Sequence, residues 1–125
     1  MGRATTAPTV LLVEDELLIS HLVAEWLSER GFAVHEATSG DEALDYIDSG
    51  GAVDVLFTDV NLPGNMNGAQ LAARVRAMRP ELPIVYASGR YRADEIAPLV
   101  SRSVFVAKPY DPADVCTLLA RLTNG

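Results

Sequence analysis

The sequence predicts an α/β fold: a five-stranded parallel sheet, each strand followed by a helix, with helices on both faces. Three observations point to it. Apolar runs end abruptly at charged residues in three places: Thr9–Val13 before Glu14-Asp15, the run through Val55–Thr58 before Asp59, and Val104–Ala107 before Lys108-Pro109. Short runs rich in branched and aromatic residues read as buried strands. Strand-like and helix-like patterns then alternate, βα five times over, which favours a parallel sheet with right-handed crossovers. Finally, 125 residues with 49% hydrophobic and 22% charged side chains suit one ordinary globular domain.

Residues 1–8 are small and polar and end in Pro8, so they read as a flexible tail before a domain over 9–123. Thr9–Val13 is the first strand. Leu18, Ile19, Leu22, Val23, Trp26 and Leu27 then recur at helical spacing across 16–30, and Gly31 suits a C′ position. Phe32–Ala37 is a short second strand. Ser39 with Glu42 three residues later predicts a capping box, opening a helix through Ala43, Leu44 and Ile47 that Gly50-Gly51 stops. Asp54–Thr58 is the central strand, and Pro63 forbids further ladder pairing beyond it.

A loop over 62–67 leads to a helix over Gly68–Met78, with Leu71, Ala72, Val75 and Met78 on one face. Ile84–Ala87 is the fourth strand, ending in Ser88-Gly89. A helix is expected over about 93–100, weakened by Pro98, and Val104–Ala107 is the fifth strand. Asp111 as N-cap, Pro112 at the first position and Asp114 in the first turn open the last helix, with Val115, Leu118, Leu119 and Leu122 as its buried stripe. The sequence ends soon after this helix, so any second domain is expected outside it.

Parallel strands bind ligands at their carboxyl ends. If the three strands above are adjacent, Glu14, Asp15, Asp59 and Lys108 meet on one rim. Three crowded carboxylates repel unless a cation lies among them. A hard cation with oxygen ligands, Mg²⁺ above all, would satisfy them. The net charge of −7 argues against a phosphate backbone as partner, which needs a basic face. Cys116 is the single cysteine, so no internal disulfide can form and a reducing, cytoplasmic home is expected. No apolar run is long enough to span a bilayer. The start, Met1 to Thr6, fits a myristoylation pattern that is short and common by chance.

With these residues in place, the chain resembles a response-regulator receiver domain, the module of two-component signalling that accepts a phosphoryl group on an aspartate. The resemblance covers about residues 9–122. It rests on Glu14-Asp15, Asp59, Ser88-Gly89 and Lys108-Pro109, each at its expected strand end. It implies the flavodoxin-like strand order 2-1-3-4-5. It implies that Asp59 is the phosphoacceptor, that Asp15 and Asp59 bind Mg²⁺ directly, that Glu14 helps largely through water, and that the main-chain carbonyl of Asn61 adds a ligand. Ser88 would offer its hydroxyl to a phosphoryl oxygen, Gly89 would leave room for the group, and Lys108 would pair with Asp59 at rest and with the phosphoryl group afterwards. The resemblance also implies a cis bond before Pro109, an inward swing of Phe105, and an influence of Arg90 and Asn61 on the water that hydrolyses the acyl phosphate.

The expected partner is a histidine kinase or histidine phosphotransfer protein, with an unidentified downstream partner, no direct nucleic-acid or membrane binding, and dimer formation on phosphorylation left open. The domain is expected to be no enzyme beyond its own phosphorylation and dephosphorylation. Two features depart from the family. The stretch between Asp59 and Gly68 looks one residue longer, and Tyr86-Ala87-Ser88-Gly89-Arg90-Tyr91 only partly matches the Phe-Ala-Thr-Gly-hydrophobic-Tyr run of one subfamily. One rival reading is a Mg²⁺-dependent aspartyl-phosphate phosphatase, which needs an acid-base Asp two residues after the first; Asn61 stands there. Another is a flavodoxin-like cofactor binder, in which Glu14-Asp15 would repel the phosphate unless a metal intervened.

Overall fold

The computed structural model describes residues 7–89 and 99–124. Its elements are β1 (Thr9–Val13), α1 (Leu17–Glu29), β2 (Ala33–Ala37), α2 (Gly40–Asp48), β3 (Val55–Asp59), α3 (Gly68–Met78), β4 (Ile84–Ser88), β5 (Ser103–Ala107) and α4 (Pro112–Asn124). The strands form one sheet in the order β2-β1-β3-β4-β5, and every pairing is parallel. The doubly wound architecture and its strand order are those expected.

Alternation along each strand divides the core into two layers. Leu11, Val13, Leu56, Ile84 and Tyr86 pack with Ala43 and Ile47 of α2 and Leu71, Ala72 and Val75 of α3. Val10, Leu12, Val55, Phe57, Val85 and Ala87 pack with Ala24 and Leu27 of α1 and Val115 and Leu119 of α4. The three central strands are therefore covered on both faces, which is why they read as continuous apolar runs.

Several expectations are refined. β3 and β4 each run one residue further, so that Asp59 pairs with Ala87 and Ser88 with Ala107. Ser39 accepts from the Glu42 amide at 3.1 Å, but Glu42 answers to the amide of Thr38 at 2.7 Å, so the box closes one residue early. A complete box stands instead at Asn67 and Gln70. Gly31 has φ +96° just past α1, a conformation that suits glycine. Pro8, assigned to the tail, accepts from the Ala33 amide at 2.9 Å. The helix expected over 93–100 lies outside the described residues, apart from Leu99 and Val100, which are not helical.

On α1 the buried side chains are Ser20, Ala24 and Leu27, whereas Leu18 is 74% and Leu22 57% exposed. The helix is apolar around much of its girth, so periodicity alone does not select a face. Ser20 and His21 both reach Glu36 Oε1 of the edge strand β2, each at 2.7 Å. On α3 Met78 is 40% exposed, and on α4 Leu118 and Leu122 are half-buried.

Candidate functional site

The rim is built by strand ends. Glu14 follows β1, Asp59 ends β3, Ser88 ends β4 and Lys108 follows β5. The register aligns them: Val13 pairs with Thr58, Asp59 with Ala87, and Ser88 with Ala107. Asp59 shares its strand face with Phe57, toward α1 and α4. Carboxylate oxygens of Glu14, Asp15 and Asp59 lie within 4.8 Å of one another. Lys108 Nζ stands 3.3 Å from Asp59 Oδ2 and 3.5 Å from Glu14 Oε1. These are loose ion pairs, at the outer limit of hydrogen-bond reach.

Burial sets the electrostatics. Glu14 is almost fully covered. Its carboxyl is held above the ordinary glutamate range, first by burial and then by the charges of Asp59 and Asp15; the Glu16 amide and Lys108 oppose this without overcoming it. Burial works against the charge on Lys108, but the attraction of Asp59 and Glu14 wins and raises its value. One ammonium thus does not neutralise the three acids. Oxygen donors alone, one of them desolvated, form a set that fits a small divalent cation with retained waters.

The other sequence-derived residues fall around this cluster. Ser88 is buried, and its carbonyl accepts from the Lys108 amide at 3.0 Å. The Lys108–Pro109 bond is cis. A Cβ added to Gly89 would stand 3.4 Å from that of Lys108, ordinary contact, so the backbones are close without requiring glycine. Asn61 lies exposed in the loop beyond β3. Phe105 pairs in register with Tyr86 and is half-buried against the α2–α3 layer, so it is not at the rim. Arg90 lies outside the described residues.

Two neighbours of the site were not among the residues expected to form it. At Gly68 a Cβ would collide with the carbonyl oxygen of Asp59 and come within 2.8 Å of Val60 Cα, and its amide bonds to the Val60 carbonyl at 2.7 Å. Only glycine lets α3 start so close behind Asp59. Tyr110 is half-buried and packs on Phe57, with ring centroids 5.9 Å apart. Burial raises its phenol; Lys108 opposes, while Glu14 and Asp59 add to the rise. Its position next to the Lys108-Pro109 pair was the one signal available.

An open parallel sheet with an acidic cluster and a lysine on its carboxyl rim defines a class of modules that handle phosphoryl groups with a divalent cation. The chain matches the response regulator receiver domain over residues 10–120 and belongs to that family. Its function class is phosphorylation-dependent two-component signalling, and receiver domains bind Mg²⁺ at such an acidic pocket. It is 36% identical over 118 residues to the sensor kinase CckA of Brucella abortus (strain 2308), covering 91% of this chain and 12% of that protein. It is 32% identical over 123 residues to the aerobic respiration control protein ArcA of Escherichia coli (strain K12), covering 94% of this chain and 50% of that protein. The crystal structure of a response regulator receiver protein from Sinorhizobium medicae WSM419 superposes with a TM-score of 0.88 at 32% identity, covering 95% of this chain and 96% of that one. The chain spans half or less of the curated relatives it matches.

Proposed function

We propose that Asp59 is the phosphoacceptor and that a phosphohistidine on a histidine kinase or histidine phosphotransfer protein is the donor. The observation that carries this is the position of Asp59 at the end of the central strand, within 3.3 Å of Lys108 Nζ and grouped with Glu14 and Asp15. A carboxylate oxygen of Asp59 forms the new P–O bond as the P–N bond breaks, and its electron pair returns to the imidazole nitrogen. Asp15 and Asp59 would hold Mg²⁺ directly, with Glu14 acting largely through water and the Asn61 carbonyl completing the protein ligands. When bound, the cation offsets the charge of the carboxylates and of the incoming phosphoryl oxygens. Lys108 follows the negative charge from the carboxylate to the phosphoryl group. Ser88, buried beside it, donates its hydroxyl to a phosphoryl oxygen.

Phosphorylation then shifts the population between two states, and a preference of a few kcal/mol is enough. The domain's own chemistry is limited to accepting the group and losing it to water. The influence on that loss expected of Arg90, two residues beyond Ser88 in sequence, is tested by substitution: Arg90→Ala should shorten the lifetime of the phosphoryl group. Among the described residues no helix is long and apolar enough to cross a membrane, and a cytoplasmic setting fits a kinase partner.

The test is mass spectrometry after incubation with acetyl phosphate and Mg²⁺. Wild type should gain one phosphoryl group and Asp59→Asn none. An equal gain in both would remove Asp59 from this role.

A further inference from the structure

Tyr110 is the wall of the site. It lines a cavity of about 10 Å³ together with Glu14, Asp59 and Lys108, with Phe57 and Ala87 among the apolar lining. That is room for roughly one water. Tyr110 also lines an open apolar groove of about 500 Å³ with Ile19, Gly89, Lys108 and Pro109. Tyr110 and Lys108 line both spaces. The ring is itself braced from below by Phe57, at 5.9 Å and an interplanar angle of 53°. Phe57 is 2% exposed and lies two residues before Asp59 on the same strand face.

Lys108 needs such a wall. Its contacts to Asp59 and Glu14, at 3.3 and 3.5 Å, hold an ammonium on a flexible four-carbon stem only loosely. Packing beside it would narrow its position.

We propose that Tyr110 is a positioning residue for phosphoryl transfer: its ring holds Lys108 Nζ over Asp59. The proposal rests on Asp59 being the phosphoacceptor. It requires that Tyr110 act through Lys108, so removing the ring should matter only while the lysine is present.

The experiment is a double-mutant cycle on the initial rate of phosphorylation by acetyl phosphate at fixed Mg²⁺ and pH. Tyr110→Ala should slow wild type by about ten- to a hundredfold, as misplacement of a catalytic group by up to about 1 Å does. In a Lys108→Ala background the same change should add little further loss. Tyr110→Phe, which keeps the wall, should recover most of the rate. Thermal melting checks folding, and Tyr110→Leu replaces the alanine in the cycle if that variant does not fold. An undiminished rate in the ring-less variant, or an equal loss with and without Lys108, overturns the proposal. A wild type that gains no phosphoryl mass instead overturns the phosphoacceptor reading beneath it.

Discussion

Glu14 shows what burial of a single carboxylate costs. Burial raises its folded-state value above that of the unfolded chain. Folding therefore favours the protonated form. The favourable contribution is complete below about pH 4.3, the ordinary glutamate value, and is lost as pH rises through the higher folded value. At neutral pH the buried charge works against the fold. Glu14→Gln should thus melt higher than wild type at pH 7 without Mg²⁺, with the gap closing below about pH 4. The same variant should bind Mg²⁺ more weakly by calorimetry; a melting gap independent of pH would refute the burial argument. Gly68 makes a different demand. A methyl group there meets the Asp59 and Val60 backbone, which cannot yield as a flexible side chain could. Gly68→Ala should cost about 1–3 kcal/mol in denaturant unfolding, whereas no loss would mean that the start of α3 can withdraw.

At the scale of elements, α1 divides its apolar residues between core and solvent. Leu27 is fully buried while Leu18 and Leu22 are largely exposed. Leu27→Ala should cost about 2–5 kcal/mol by loss of contacts and cavity formation. Leu18→Gln and Leu22→Gln should each stay within about 0.5 kcal/mol of wild type. Urea titration of the three variants checks both statements, and a large loss at Leu18 would place it in the core. α3 depends on its start: Asn67 accepts from the Gln70 amide at 2.8 Å, and Gln70 returns the bond to the Asn67 amide at 2.9 Å. Asn67→Ala should remove about 1 kcal/mol, measurable as a lower urea midpoint with an unchanged slope.

Across the whole molecule, the sheet gathers residues far apart in sequence and holds them against their mutual repulsion. Lys108 and Glu14 are 94 positions apart, yet their strands converge on one rim. A cation bound only by the folded state should then stabilise the entire domain. At tenfold excess over its dissociation constant, Mg²⁺ should add about 1.4 kcal/mol, seen as a higher melting temperature. Asp15→Asn should lose most of that gain, since it removes one of the three carboxylates; a full gain in the variant would exclude Asp15 as a ligand.

The sequence by itself determined the alternation of strands and helices, the two-sided burial of the central strands, and the charged residues at their carboxyl ends. These are local properties: a run of apolar residues carries its own signal, and so does the charged residue that ends it. Tertiary structure decided which face of α1 is buried, because apolar residues surround much of that helix and only the fit of Ser20, Ala24 and Leu27 to the sheet selects one side. It also decided that Gly68 must lack a side chain and that Tyr110 stands beside Lys108 on Phe57. Each of these depends on the close approach of segments distant along the chain, and neither residue type nor spacing encodes such a distance.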